Sequence, residues 1–295
     1  MLNPFFQRNA PVTSHGERKQ GTRELRAVAL SALKCLLLEL ETWPKPGLVS
    51  HIDSGSHTDM NASTFRASAL AISPYFQAMA TAGAHGGDMS WLRTIGMQAE
   101  SAMLQATAGV NTHRGAIFGL GLLCAAAGAR SYGRVDAKMS LGATVATLWG
   151  DQILDGPVLL HSHGSRARLK FGAGGARREA ALGFPSVYQI GLPALRRAHR
   201  IYPRRAEAAR VETCFELIAK VEDTNLLHRG GREGLRHAQR AARQFIEHGG
   251  VGSPVWRAHA QAVHRDFVAR DLSPGGSADL LAFTLFVDTQ EARVS

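Results

Sequence analysis

Residues 22–41, TRELRAVALSALKCLLLELE, decide the fold class, because their apolar side chains recur every three or four positions. One helical face would carry Leu25, Val28, Ala29, Ala32, Leu36 and Leu40. The same spacing recurs over residues 62–84, 90–108, 115–129, 137–154, 206–222, 232–248, 254–270 and 277–287. Alternating strand patterns are nearly absent, and Ala, Leu, Arg and Gln favour helix. The sequence predicts an all-α fold, a single compact domain of nine to eleven helices over residues 21–295, preceded by a disordered segment, residues 1–20.

The charge balance indicates an anionic partner. Lys and Arg number 34 against 24 Asp and Glu, a formal net charge of +10. Nucleic acid and a polyphosphate ligand are both candidates. The arginines, however, occur as scattered pairs without interleaved aromatic residues, at Arg177-Arg178, Arg196-Arg197 and Arg204-Arg205. Nucleic-acid readers more often show a basic stripe or stacking aromatics, so a small anionic ligand is favoured.

The sequence predicts a soluble cytoplasmic protein with no membrane partner. Cys35, Cys124 and Cys214 lie in apolar runs without paired spacing, as reduced core cysteines do. Residues 1–20 lack the apolar segment of a secretory signal. The best apolar run, residues 27–40, is interrupted by Lys34 and is shorter than the roughly 18 residues that a membrane span needs.

Five breaks between the helical patterns are rich in glycine and polar residues. They are WPKPGLVSHIDSGSHTDM (43–60), GVNTHRG (109–115), HSHGSRARLKFGAGGARREAALGFPS (161–186), VEDTNLLHRGG (221–231) and DLSPGGSADL (271–280). Ordinary helix connections are short and need one turn residue or cap. Glycines let backbone N–H groups approach a ligand, and helix N-termini favour anions. We therefore expect a ligand site built from these breaks.

The first break has a functional and a structural interpretation. Lys45, fixed between two prolines, suits a phosphate contact or a solvated position. His57 and Asp59 offer a nitrogen and a carboxylate to one cation, although Asp59 alone could be a helix N-cap.

The later breaks leave the same choice open. His113 and Arg114 would lie at the positive end of a helix, which suits phosphate, while the nearby glycines could serve helix packing alone. Asp223 and Asn225 could form an Asx turn, which is a purely structural role. A turn does not need the His228 and two glycines that follow, and their presence favours a functional role. Asp279 falls in a first helical turn, where carboxylates are favoured anyway.

These breaks resemble the conserved segments of the triphosphoribosyl-dephospho-CoA synthase family. The matching segments occur in the family's order and span residues 36–287: PKPGLVSHIDSGSHTDM, GVNTHRGAIFGLGLLCAAAG, GGARREAALGFPSV, EDTNLLHRGG and SPGGSADLLAFTLFV. Ser50 and Asp53-Ser54-Gly55 stand where citrate lyase members typically have Leu-Val-Asp and Asn-Asn-Gly. The resemblance is therefore to the malonate decarboxylase branch. Residues 159–170 match less well and receive no role.

The resemblance implies a transferase that joins ATP and 3′-dephospho-CoA into 2′-(5″-triphosphoribosyl)-3′-dephospho-CoA and releases adenine. It also implies Mg²⁺ as cofactor, and a further transferase that attaches the product to the acyl carrier protein of malonate decarboxylase. No nucleic-acid partner is expected, and a homodimer is a candidate assembly.

The β-configured ATP and the α-linked product of the family imply one inverting displacement, whose transition state resembles an oxocarbenium ion. The triphosphate would be held by Lys45, His113, Arg114, His228 and Arg229. The metal would be held by His57, Asp59 and Asp223. The base for the attacking 2′-hydroxyl would be Glu41, Asp59 or Asp279, and the departing adenine would meet Asn225 or a protonated Glu179.

Two other functions remain open on the sequence. A helical metal-dependent phosphohydrolase or ADP-ribosyl hydrolase would release phosphate or ADP-ribose instead of adenine. A basic helical RNA-binding protein would bind RNA with a steep salt dependence.

Overall fold

A computed structural model describes residues 15–156 and 174–292, with side chains from residue 21 onward. The helices are α1 (His15–Leu40), α2 (Ala62–Ala84), α3 (Met89–Ala106), α4 (Arg114–Ser131), α5 (Leu141–Asp155), α6 (Gly175–Ala181), α7 (Leu192–Ile201), α8 (Ala206–Lys220), α9 (Thr224–Glu247), α10 (Trp256–Ala269) and α11 (Gly275–Glu291). A π-helical turn (Val187–Gly191) precedes α7, and a 3-10 turn (Gly250–Gly252) follows α9.

The prediction of an all-α compact domain is confirmed, since the described residues form eleven α-helices and no strand. Two earlier expectations fall largely outside the described residues. The predicted disordered segment lies outside them up to residue 14, and helix begins at His15. The poorly matching stretch, residues 159–170, lies wholly outside them.

Short polar side chains fix where the helices begin. Asn61 starts α2 by accepting hydrogen bonds from the N–H groups of Ser63 (2.9 Å) and Thr64 (3.2 Å). Asp88 and Ser140 cap α3 and α5 in the same way. Such a cap satisfies backbone donors that the first helical turn leaves free. The cap of α2 is therefore Asn61, which leaves Asp59 without that structural task.

Helix α4 forms the centre of the core and packs directly on α2. Every residue from Leu120 to Ala129 is buried. Two glycines permit the close approach of the backbones. A Cβ on Gly128 would lie 1.9 Å from the carbonyl oxygen of Ala80, and one on Gly83 would lie 1.9 Å from that of Ala125. Larger side chains at these positions would separate the two helices.

Helix α11 packs on α4, and α8 packs on α11 to complete the core. Phe283 of α11 packs edge-on against Phe184 with ring centres 5.8 Å apart, and Phe215 of α8 stacks on Phe245 of α9 at 3.9 Å. The three cysteines are buried and unpaired, as predicted. Among the described residues, no helix has the length and apolar character needed to cross a membrane.

Candidate active site

The starts of α4, α9 and α11 meet at one place. At the start of α4, a Cβ on Gly115 would lie 2.0 Å from Oδ2 of Asp279 in α11. At the start of α11, a Cβ on Gly275 would lie 2.8 Å from the side-chain nitrogen of Asn225 in α9. Each helix start carries partial positive charge and free N–H groups. The three glycine-rich breaks thus converge in space.

Helix α6 brings the fourth predicted break to the same place. Gly175, with φ of +61°, lies where a Cβ would be 3.6 Å from the side-chain methyl of Thr224, the first residue of α9. One turn later, Glu179 accepts hydrogen bonds from the backbone N–H (2.7 Å) and hydroxyl (3.0 Å) of Ser186. Burial raises the pKa of Glu179 above its ordinary value. Both of its carboxylate oxygens are therefore engaged in holding the turn that follows α6.

Asp223 joins the starts of α9 and α11. Its Oδ1 accepts from the N–H groups of Asn225 (2.9 Å) and Leu226 (3.4 Å), which is the Asx-type turn that the sequence allows. Its Oδ2 accepts from both the N–H (2.7 Å) and the hydroxyl (3.0 Å) of Ser277. The side chain is buried, and burial raises its pKa despite these four donors. Asp223 thus acts as a double helix cap.

A buried ion pair lies beside this double cap. Lys45 is fully buried, and its ammonium group bonds to Oε1 of Glu39. Burial raises the pKa of Glu39, and the charge of Lys45 partly offsets that rise. His264 holds the loop in place, since its Nδ1 donates to the carbonyl oxygen of Lys45 at 2.8 Å. Lys45 therefore does not offer its ammonium group to solvent, and its role as a triphosphate contact stays a prediction.

Asp279 differs from the other carboxylates here because it has no hydrogen-bond partner among the described residues. The residue as a whole is intermediate in exposure, while its carboxylate lies against Gly115. Burial, and then the charges of Glu39 and Asp223, hold its pKa well above the ordinary value for an aspartate. Three carboxylates thus face one lysine, and the surplus negative charge suits a bound cation or a retained proton.

His113 borders this group of charges as a neutral side chain. It is buried, and its Nδ1 lies 2.6 Å from the hydroxyl of Ser68. Burial, and secondarily the charge of Lys45, lower its pKa to about 3. His113 therefore adds no positive charge at neutral pH, and any contact with the triphosphate, as predicted, would be made by a neutral ring.

The predicted arginine contacts are engaged with the protein. Arg114 forms an ion pair with Glu100. Arg229 donates from Nη1 to the carbonyl oxygens of Ser56 (3.0 Å) and Asp271 (3.2 Å), and its Nη2 lies 3.2 Å from Nδ1 of His57. Arg229 thus connects the loop before α2 to the loop before α11. The remaining basic candidate, His228, is exposed in the first turns of α9.

The predicted metal ligands do not come together. Nδ1 of His57 lies 3.6 Å from Oδ1 of Asp59, whose side chain is 60% exposed, while Asp223 is buried in its double cap. Across the described ranges, no three His, Cys, Asp or Glu side chains form a metal-binding group. Among the three carboxylates of Glu39, Asp223 and Asp279, the oxygens that accept no hydrogen bond from a described residue are Oε2 of Glu39 and both oxygens of Asp279.

Glu41, one of the predicted bases, lies on the surface and away from these carboxylates. It is exposed, and its charge acts on Arg210. Glu39 takes the inward position that the sequence analysis missed. A signal was present, because Glu39 falls three residues after Leu36 and seven after Ala32, on the apolar face of α1.

A pocket of about 510 Å³ lies between the loop before α2 and helix α10. It is lined by residues that include Trp43, Asp53, Gln261, His264, Arg265 and Val268. His264 forms part of this wall and also holds the Lys45 carbonyl, so the pocket and the buried ion pair share one loop. The indole and the exposed guanidinium at its edge suit a ligand with a flat ring and an anionic group.

Comparison with known proteins identifies the family. The family model described as CitG, ATP:dephospho-CoA triphosphoribosyl transferase, matches residues 25–295. The chain belongs to this family. The matched region includes all four helix starts of the site and the loop that carries Lys45.

Curated relatives agree with this family over nearly their whole length. A protein of Stutzerimonas stutzeri (strain A1501) is 39% identical over 282 residues, 92% of this chain and 93% of the relative. One of Azotobacter vinelandii is 40% identical over 265 residues, 88% of this chain and 90% of the relative. Both are named probable 2-(5″-triphosphoribosyl)-3′-dephosphocoenzyme-A synthase. No solved structure matches the chain.

Proposed function

We propose that the protein makes 2′-(5″-triphosphoribosyl)-3′-dephospho-CoA from ATP and 3′-dephospho-CoA and releases adenine. Family membership over residues 25–295 and the names of the relatives support this activity. The observation that carries it in the structure is the meeting of four described helix starts around surplus carboxylates. The comparisons favour neither the hydrolase nor the RNA-binding alternative.

The triphosphate of ATP would bind at the helix starts. The N–H groups of Gly115 and Gly276 lie in first helical turns, where no intrahelical acceptor exists. Helix starts bind phosphate through such N–H groups and the helix dipole. Because Lys45, Arg114 and Arg229 are engaged with protein groups, backbone donors are the better candidates for the first contacts.

The carboxylate oxygens without hydrogen bonds fit a magnesium ion. Mg²⁺ is commonly held by one or two carboxylates together with substrate phosphates. Glu39, through Oε2, would hold it beside the triphosphate, and Asp279 lies close by. When bound, the ion would neutralise phosphate charge and orient the nucleotide.

Asp279 is the general base that we propose for the attacking hydroxyl. Burial raises its pKa above the ordinary value for an aspartate, and no protein donor among the described residues occupies its oxygens. The 2′-hydroxyl oxygen of dephospho-CoA forms the new bond to the ribose C1′ of ATP while its proton passes to Asp279. The bond between C1′ and adenine breaks, and its electron pair leaves with the base. The side-chain amide of Asn225, beside Gly275, would donate to the departing ring.

The pocket beside Trp43 is the place we propose for dephospho-CoA. The acceptor must present its ribose hydroxyl to the helix starts, and this pocket shares the Lys45 loop with them. Trp43 would stack on the adenine and Arg265 would contact the diphosphate. Pockets of this size commonly hold ligands as large as a nucleotide.

We further propose that the product serves malonate decarboxylase through a transferase that modifies its acyl carrier protein. This assignment rests on the sequence at Ser50 and Asp53-Ser54-Gly55. Incubating the protein with ATP, Mg²⁺ and dephospho-CoA and measuring free adenine tests the reaction. Transfer of the product to the purified carrier protein by its transferase tests the destination.

A further inference from the structure

A short chain of side-chain groups leads to His113 from outside the charged cluster. The hydroxyl of Thr112 donates to Oγ of Ser68 at 2.7 Å, and Oγ of Ser68 lies 2.6 Å from Nδ1 of His113. Ser68 and His113 are both buried. Ser68 lies in α2, whereas His113 is the N-cap of α4, so the contact spans two helices.

With Thr112 as the donor to Ser68, this chain places the imidazole proton. Since Ser68 receives the proton of Thr112, its own hydroxyl proton is free to donate to Nδ1 of His113. If Nδ1 itself carried a proton, Ser68 would accept twice and its own buried hydroxyl proton would have no acceptor. Such an orphaned donor is costly. The proton of the neutral ring therefore lies on Nε2.

The Nε2 atom has no hydrogen-bond partner among the described residues. The other contacts of the residue fix its place: the ring of Phe65 packs edge-on at 4.9 Å, and the backbone N–H of His113 donates to the sulfur of Met103 at 3.2 Å. The charge of Lys45 acts on the imidazole, so the ring borders the candidate active site.

We propose that Ser68, supported by Thr112, holds His113 in the Nε2–H tautomer, so that His113 serves as a neutral hydrogen-bond donor to a triphosphate oxygen. The proposal rests on the proposed function for the identity of the ligand, but not for the tautomer. A neutral donor at this place binds an anion without adding a charge beside Lys45. Ser68 and Thr112 are positioning residues, since only His113 would touch the nucleotide.

Nitrogen NMR of the full-length protein labelled with ¹⁵N-histidine tests the tautomer directly at neutral pH. We expect the His113 signals, assigned by their loss in His113→Gln, to show a protonated Nε2 and an unprotonated Nδ1. Ser68→Ala should give a mixture of tautomers, and Thr112→Ser, which keeps the hydroxyl, should resemble the parent. A proton on Nδ1 in the parent protein would overturn the proposal, whether or not Ser68→Ala folds.

Inorganic triphosphate with Mg²⁺ is the probe for the ligand contact. We expect it to shift the His113 Nε2–H signal of the parent protein, and to bind at least tenfold more weakly to a His113→Leu variant than to His113→Gln, which retains a donor. A shift with ATP but none with triphosphate would place the donor on the base or ribose and overturn the phosphate contact. Adenine release is measured in a separate assay. The tautomer of His113 can therefore be established even if the proposed reaction does not occur.

Discussion

The Asp279 carboxylate lies at the beginning of the second turn of α11, against Gly115 and within reach of the charges of Glu39 and Asp223. Because its pKa is raised in the folded protein, the native state keeps a proton that the unfolded chain loses. Stability therefore falls as pH rises above the ordinary aspartate range of about 4. The residue proposed as the base is thus also a source of instability.

Replacing Asp279 by Asn should separate these two effects. We expect kcat to fall by about a hundredfold or more because the proton acceptor is lost. The midpoint of thermal unfolding should rise, by about 2–4 °C for each kcal/mol of repulsion removed. The rise should be larger at about pH 8 than at about pH 5, since the parent protein loses stability over that range.

Asp151→Asn is the matched control for this change, because Asp151 is exposed in α5. It should leave both turnover and the unfolding midpoint near those of the parent. Full turnover in Asp279→Asn would exclude Asp279 as the base. A fall in its unfolding midpoint would show that the carboxylate stabilises the fold.

Arg229 gives a second test at the scale of one residue. Its guanidinium joins Ser56, His57 and Asp271 in partly buried contacts, so Arg229→Ala should leave these groups without their donor and cost about 1 kcal/mol of stability. Urea unfolding measures this loss, and Arg232→Ala, at an exposed position of the same helix, is the control. If Arg229→Ala left the free energy of unfolding unchanged but raised the KM for ATP, Arg229 would instead be a direct contact of the triphosphate.

At the scale of elements, the spacing of apolar residues predicted which segments form helices, but it did not predict which helix starts lie close together. The segment around Leu226 and Leu227 was interpreted as a break because of Gly230 and Gly231, yet α9 already begins at Thr224. Gly231 adopts φ of +61° inside α9, so the helix continues beyond an interruption that only glycine tolerates easily. The motifs mark helix starts, and which starts meet depends on packing between distant parts of the chain.

The candidate site shows the same division between local pattern and tertiary contact. The Asx-type turn of Asp223 and Asn225 was correctly predicted, because such turns have local signatures. The placement of Asp279 in a first helical turn was wrong, since α11 begins at Gly275 and Asp279 lies in the next turn. Glu39 could have been found from its position on the apolar face of α1. Ser68 could not, since nothing near it in sequence indicates a contact with His113 in another helix.

Gly115→Ala tests the contact between α4 and α11. A Cβ there would lie 2.0 Å from Oδ2 of Asp279, so the carboxylate must move. A displacement of about 1 Å can cost on the order of a hundredfold in rate, and we expect kcat to fall while helical circular dichroism is retained. Gly96→Ala is the control, because its Cβ would meet only Met79, at 3.6 Å. Equal activity in the two variants would contradict the arrangement.

At the scale of the whole molecule, the reaction requires two adenine nucleotides to be held side by side. The helix starts and the pocket beside Trp43 are joined by the loop that carries Lys45. The formal charge of +10 favours the approach of both anionic substrates, although several of the cations closest to the site are paired.

Trp43→Ala should distinguish the two nucleotide sites. We expect the KM for dephospho-CoA to rise by roughly ten- to a hundredfold, since stacking on an aromatic ring contributes about 1–3 kcal/mol for each base. The KM for ATP should change less, because ATP is proposed to bind at the helix starts. Steady-state titration of each substrate measures both, and Trp91→Ala, at an exposed position in α3, is the control. A rise confined to the KM for ATP would show that ATP, and not dephospho-CoA, binds in the pocket beside Trp43.

Free adenine is the product that tests the central claim most directly. The purified protein should be incubated with ATP, Mg²⁺ and dephospho-CoA, and adenine and inorganic phosphate followed by chromatography. We expect one adenine for each triphosphoribosyl-dephospho-CoA formed, none when ATP, Mg²⁺ or dephospho-CoA is omitted, and no release of phosphate. Phosphate or ADP-ribose in place of adenine would contradict the proposed transferase reaction and indicate a hydrolase.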